Sequence, residues 1–285
     1  MRIGYLTAAP FLEDDSGEPG EQLQSLERGS EPRDIELTPV AWDDRSIEND
    51  AFDAFVIGST WDYMTRADEF LDQLTHFAAT RPLLNPLEIV KWNSDKRYLH
   101  DLENRGVPIV PTQHLPSPDR AKIDAAFAHF DADEIVVKPA VGAGAWRQLR
   151  LRRDQAIDER ELHDGALLVQ PFLPTILDEG EYSFVYFDRE FSHCTRKTPV
   201  DGDYRIQAEY GGRDLPHSPD DRDLRSAQRV VDAIDGPLLY ARVDMIRDGD
   251  ELRVIELELI EPYLYPRGVP ELGDRFADAL LRLLS

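Results

Sequence analysis

The chain reads as an α/β protein made of more than one lobe. Three observations predict this. Short apolar strands alternate with helical patterns over the first third of the chain. After Val107 the texture changes to strands with intervening helices. Near the C-terminus, Tyr240–Ile246 and Glu251–Leu259 alternate apolar and charged residues as half-buried strands do. With 285 residues, 41% of them hydrophobic, there is core enough for two or three lobes. The expected boundaries are 1–93, 94–173 and 174–285.

In order, Arg2–Thr7, Ile35–Ala41 and Ala54–Thr60 read as strands, with a helical stretch near Gly20–Gly29. They make a small parallel, Rossmann-like lobe. Asp68–Ala79 is an amphipathic helix, ended by Pro82-Leu-Leu-Asn-Pro86. Ser94–Asn104 reads as a helix capped by Ser94 and closed by Gly106 and Pro108. Ile135–Pro139, Gln148–Arg152 and Ala166–Gln170 read as strands, and Asp154–His163 as a helix. Glu181–Asp188 and Glu190–Arg196 suggest a hairpin. Asp220–Ile234 and Gly273–Leu284 are long helices.

The C-terminal pair of strands carries Arg242, Asp244, Glu256 and Glu258. Register decides whether they meet, because a one-residue slip moves every side chain to the other face. A two-residue loop puts Asp244 and Glu256 on opposite faces. A three-residue loop over 248–250 puts Ala241, Val243, Met245, Ile255, Leu257 and Leu259 on one face and the four charged residues on the other. The expectation is the three-residue loop. Carboxylates packed this closely call for a cation, and oxygen ligands without His or Cys point to Mg²⁺ or Mn²⁺. For any acid alone, a solvated face of an acidic protein remains the alternative.

The formal net charge of −24 argues against nucleic acid or an anionic membrane as partner. No apolar run approaches the length of a membrane span, and Met1–Leu6 reads as a strand rather than a signal peptide. Cys194 is the one cysteine, which excludes an internal disulfide framework and fits a reducing cytoplasm. A homodimer is compatible with all of this. Lysines are rare, five against 27 arginines. Lys138 ends an apolar strand before a loop with Gly142 and Gly144, a place where an ammonium and loop N–H groups can meet phosphate. The order is not that of a Walker A loop, and a structural turn is an equal reading. Gln170, Phe172 and Leu173 follow another buried strand and would suit an adenine slot, with plain packing as the alternative.

Together these segments resemble the ATP-grasp superfamily, whose members include glutathione synthetase and D-alanine–D-alanine ligase. The resemblance spans about residues 94–262, with the N-terminal lobe in the place of the family's preceding domain. It implies an ATP-grasp fold and an ATP-dependent carboxylate–amine ligase that works through an acyl phosphate on a small amino-acid-like substrate. It implies ATP contacts from Lys96, Lys138, the Gly142–Ala145 loop, Gln170–Leu173 and Glu181. Arg242 with Asp244 matches the family's Arg/Asp pair. Glu256 and Glu258 match its metal motif, with Glu258 where Asn is usual. Lys197 and Arg205 match the basic segment near the γ-phosphate, though both equally read as loop surface charges. Gly58-Ser-Thr-Trp-Asp-Tyr63, Asn85-Pro86 and Trp92–Lys96 look most like a small bacterial subgroup that includes the cyclo-ligase of cycloserine biosynthesis. That subgroup usually carries Arg where this chain has Gly58. Ring closure within one substrate is one alternative, and a nucleotide-binding module without turnover is another.

Overall fold

Strands β1 (Arg2–Thr7), β2 (Glu36–Ala41), β3 (Ala54–Ile57) and β4 (Leu83–Leu84) form a parallel sheet in the order β2-β1-β3-β4. Helices α1 (Pro10–Glu13), α2 (Gly17–Ser30), α3 (Ala67–Ala78) and α4 (Leu87–Asn93) accompany it. The computed structural model describes all residues except 15, 143, 156, 157, 159, 201 and 207–209. Strands buried on both faces, as β3 is throughout, need covering layers, and α3 supplies one through Phe70, Leu74 and Phe77.

Helix α5 (Tyr98–Asn104) leads to β5 (Gln113–Leu115), α6 (Arg120–His129), β6 (Glu134–Pro139), β7 (Leu149–Arg152) and β8 (Leu167–Pro171). Their sheet is antiparallel in the order β5-β8-β6-β7. After α7 (Thr175–Asp178) come β9 (Glu181–Phe187), β10 (Glu190–Thr198), β11 (Arg213–His217), α8 (Asp221–Asp232), β12 (Tyr240–Asp248), β13 (Glu251–Glu258) and α9 (Leu272–Leu284). The third sheet runs β11-β10-β9-β12-β13, all antiparallel. Its exposed edge at β13 is covered by 108–110, where Val110 N–H donates to Val254 O and Val254 N–H to Pro108 O. Among the described residues no helix is long and apolar enough to cross a membrane.

Two expected elements differ. Ser94–Asn104 is not one helix: Ser94 ends α4, its hydroxyl donating to Lys91 O, and α5 begins at Tyr98. The break is held by Lys96 N–H on Ala140 O at 2.8 Å and by Arg97 N–H on the Asp95 side chain. The described residues of 154–163 form turns rather than a helix. There the Asp158 carboxylate takes Arg160 N–H and competes with helical pairing.

The C-terminal hairpin also departs from expectation. Asp248 pairs with Glu251, so the loop has two residues, not three. A β-bulge between Asp244 and Met245 absorbs Ile255, and beyond it Asp244 lies opposite Glu256 and Arg242 opposite Glu258. The charged residues therefore share a face, as expected, by a different route. Ile255 does not join the apolar face. Met245, Val254 and Leu257 pack in the core, while Ile255 is part-buried against Ile246 and Phe172.

Candidate active site

The site face of β12 and β13 looks into a cavity of about 400 Å³. Arg242 is its organiser. Its guanidinium donates to Asp244 through Nε at 3.1 Å and Nη2 at 2.9 Å, to Tyr263 O at 3.1 Å, and to Glu258. Asp244 also accepts from Ser183 Oγ and lies 3.4 Å from Lys197 Nζ. Burial opposes the Asp244 charge, but Arg242 and Lys197 outweigh it and hold the carboxyl at about 2. Lys197 also pairs with Glu181, its β-sheet partner across β9 and β10.

Lys96 Nζ sits 3.0 Å from Glu256 Oε1 and donates to Gly142 O in the glycine loop. Burial disfavours the Glu256 charge, yet Lys96 and Lys138 together keep its carboxyl below the ordinary value. Lys138 is 6% exposed and reaches Ile255 O at 3.3 Å, so the bulge presents a carbonyl to it. Its ammonium is pushed down by burial, only partly relieved by Glu256. A buried ammonium that is short of counter-charge suits a phosphate.

A second, apolar space adjoins this one. Val136, Gln170, Phe172, Tyr204, Ile246 and Ile255 line a small slot that Lys138 also borders. Gln170 is held by Thr112 Oγ1 at 2.9 Å, and the ring of Phe172 meets Tyr204 edge-on at 5.8 Å. Lys138 then shares a small space with Lys96, Gly142 and Glu256, and Glu256 borders the larger cavity. Slot, lysines and carboxylates thus form a continuous path. A larger open groove beside Arg2 and Glu36 lies at the N-terminal ends of the parallel strands, away from where such sheets bind ligands.

The expected site residues divide cleanly. Lys96, Lys138, Lys197, Arg242, Asp244, Glu181, Glu256 and Glu258 converge on this path, and Gly142 and Gly144 border it. Gln170, Phe172 and Leu173 line the slot. Residue 143 of the glycine loop lies outside the described residues. Arg205 does not join them: it is bound to Asp203 at 2.7 Å and stacked 3.7 Å over Tyr210. Sequence reasoning missed Trp61, Glu261, Tyr263 and Tyr265, which also wall the cavity, and Tyr63, which borders Glu261. They stand in irregular segments after β3 and β13, where neither a period of 2 nor one of 3.6 points them anywhere. Ile246 and Ile255 were missed because the bulge alone turns Ile255 into the slot.

Gly58 stands against the Tyr5 ring, and a Cβ there would overlap it. A side chain at that position would require the buried Tyr5 ring to move, so Gly58 goes with Tyr5 in this chain. Glu258, by contrast, fits where it is. Burial, with Asp244 and Glu256 adding to it, raises its carboxyl to about 7 against the pull of Arg242. Glu181 is raised to about 7 by burial, against Lys197, and Glu261 to about 8 by burial and Glu258.

Comparison with known proteins agrees with this geometry. Residues 3–85 match the family described as D-cycloserine synthetase DcsG, N-terminal domain. The cycloserine biosynthesis protein DcsG of Streptomyces lavendulae is 31% identical over 261 residues, covering 86% of this chain and 87% of that one. The chain belongs to the ATP-grasp ligases. Within them it falls in the group that includes DcsG, and like its relatives it is an enzyme that uses ATP to form C–N bonds. The crystal structure of D-cycloserine synthetase DcsG superposes with a TM-score of 0.88 at 26% identity, over all of both chains. A D-alanine–D-alanine ligase from Bacillus anthracis, complexed with ATP, shares the fold at a TM-score of 0.67 and 14% identity, covering 100% of this chain and 97% of that one. A glutathione synthetase from Prochlorococcus marinus (strain MIT 9313) is 30% identical over 169 residues, 55% of this chain and 53% of that one. The ATP-grasp resemblance read from Lys96, Lys138 and the Arg242–Glu258 strands therefore holds.

Proposed function

We propose that this ligase activates a small amino-acid-like carboxylate as an acyl phosphate and then joins it to an amine, releasing ADP and phosphate. The observation that carries this reading is the continuous path from apolar slot through Lys138 and Lys96 to the carboxylate cavity. Adenine would occupy the slot at Gln170–Leu173, and Glu181 would take the ribose hydroxyls. Lys138, Lys96 and Lys197 would offset triphosphate charge, with the Gly142–Ala145 loop over it. The proposed lobes, 1–93, 94–173 and 174–285, would then enclose the nucleotide between the second and third.

Asp244, Glu256 and Glu258 are the residues that would hold Mg²⁺ or Mn²⁺. Among the described residues no three acidic or histidine side chains already converge as an ion cage, because Arg242, Lys96 and Lys197 hold them. The donor set nevertheless fits a hard cation: all-oxygen ligands on one face, Asp244 buried and Glu256 and Glu258 part-buried, with the Glu258 carboxyl raised by burial and further by Asp244 and Glu256. Such an ion would supply charge neutralisation to the phosphates. Arg242, already oriented by Asp244, would face the oxyanion that forms when the amine attacks the acyl carbon. Positioning and electrostatics of this kind account for most of the rate in phosphoryl transfer.

Ring closure within one substrate is the second reading, favoured by the likeness to DcsG along most of both chains. A panel of amino acids and short peptides screened for ADP release, followed by product mass, separates the two. With hydroxylamine present, the wild type should trap a hydroxamate from the correct acid. Glu256→Gln should keep the fold yet lower this rate by on the order of 10²–10³. AMP among the products would replace the acyl phosphate with an adenylate.

A further inference from the structure

We propose that Glu261 is the general base of the amide-forming step, taking the proton that the amine nitrogen must shed as it bonds to the acyl carbon. The inference rests on the acyl-phosphate reading above. In that step the nitrogen lone pair forms the C–N bond. The bond from acyl carbon to phosphate oxygen breaks, and its electron pair leaves on phosphate. One N–H proton passes to a carboxylate oxygen of Glu261 and from there to solvent.

A proton acceptor must stand in the same cavity as the oxyanion-stabilising Arg242, and most groups there are unavailable. Lys96, Lys138, Lys197 and Arg242 are cations. Asp244 is bound by Arg242, Ser183 and Lys197, Glu256 by Lys96, Glu258 by Arg242 and Glu181 by Lys197. Glu18 and Asp214 stand further toward solvent, and Asp214 is exposed. Glu261 is 8% exposed, lines the cavity and forms no salt bridge among the described residues, with Lys96 acting on it only at longer range. Burial and Glu258 raise its carboxyl to about 8, so it takes the proton in its ionised form, whose share grows as pH rises toward and past 8.

Glu261 is also deliberately held. The Tyr63 hydroxyl hydrogen-bonds its carboxylate, and Trp61 Nε1 donates to its backbone carbonyl at 2.9 Å. Asp62 between them accepts from Trp42 Nε1 at 2.7 Å, which fixes the loop. The Ser59–Tyr63 motif, which no nucleotide or metal role absorbs, thereby gains a purpose: it reaches across from the N-terminal sheet to aim one carboxylate. A Tyr–Glu pair on a rigid loop is the kind of support a base requires.

The test compares two amines in one enzyme. Free amino acids and dipeptides are offered to the wild type and to Glu261→Gln, with and without hydroxylamine. Hydroxylamine is uncharged at neutral pH and attacks without help from a base. The variant should form hydroxamate within about threefold of the wild type, which also shows that it is folded and makes the acyl phosphate. Its kcat for the ordinary amide should fall by on the order of 10²–10³. Equal loss of both products would make Glu261 structural and overturn the proposal. A higher KM for the amine at unchanged kcat would make it an ammonium-binding group instead, and would equally overturn it. A wild type that traps no hydroxamate from any acid would sink the acyl-phosphate reading itself, a distinguishable failure.

Discussion

At the scale of the residue, burial decides how each titratable group behaves. His193 is largely buried, its Nε2 2.8 Å from Leu264 O and its Nδ1 2.9 Å from Ser192 Oγ. A carbonyl accepts only, so Nε2 carries the hydrogen and Nδ1 accepts from the hydroxyl. Burial, helped by Arg275, lowers its value to about 4. The sign of the linkage follows. Above the unfolded value, near 6.5, both states are neutral and pH has no effect through this group. As pH falls from 6.5 toward 4 the unfolded chain takes the proton first, so stability is lost across that window, by roughly 2 kcal/mol at pH 5. His193→Gln can still donate to Leu264 O but cannot be protonated. Urea midpoints at pH 7 and pH 5 should therefore fall further for the wild type than for the variant. Parallel losses would show that the imidazole is not held neutral.

At the scale of the element, two asparagines stitch the N-terminal segments to the ends of the site strands. Asn85 donates to Tyr240 O at 2.9 Å and Leu259 O at 2.8 Å, and accepts from Leu239 N–H at 2.6 Å. Asn93 does the same for Leu257 O and Leu259 N–H. Both lie in motifs that the sequence marks by resemblance alone; their role is to satisfy strand ends left without sheet partners. Asn85→Ala strands one donor and two acceptors in a fully buried place and should cost about 2–4 kcal/mol in chemical denaturation. A loss below about 1 kcal/mol would mean that water or a local shift replaces the amide. The bulge at Ile255 belongs to this scale too. It is the device that lets a two-residue turn coexist with Asp244 opposite Glu256, and it hands Ile255 to the slot and its carbonyl to Lys138.

At the scale of the whole molecule, the third sheet is held to the first by a shared core. Ile3, Tyr5, Leu26 and Val56 pack with Phe187, Leu239, Phe276 and Leu280. Helices α2 and α9 cross so closely that a Cβ on Gly29 would overlap the Gly273 backbone, and a Cβ on Gly273 would overlap Ser25 O. Arg33 locks the crossing through Asp274 at 2.6 Å and Asp278 at 2.7 Å. Since α2 also offers Gln22 to Leu264 N–H at 2.7 Å, this docking sets where Tyr263 and Tyr265 stand in the cavity. Gly29→Ala should thus lower the thermal midpoint, at a cost of about 1–3 kcal/mol, and reduce turnover with it. An unchanged midpoint would show that the helices can separate without strain.

The sequence by itself determined the α/β class, most strands and helices, the ATP-grasp kinship and the shared face of Arg242, Asp244, Glu256 and Glu258. Those signals are local: alternation within a strand, a lysine at a strand end, a motif of contiguous residues. Tertiary structure alone decided the rest. The hairpin turn and its bulge are a contest between two pairings of the same residues, and in the observed one Met245, Val254 and Leu257 pack in the core while Ile255 packs with Ile246 and Phe172. The break at Ser94–Arg97 exists because Ala140 O, more than forty residues on in the chain, takes Lys96 N–H. Arg205 turned to Asp203, its neighbour two residues away, and no pattern announces that choice. Glu261 became a site residue only when Trp61 and Tyr63, some 200 positions earlier, folded against it. Such contacts are long-range, and a one-dimensional pattern holds no record of which distant segment will supply the partner.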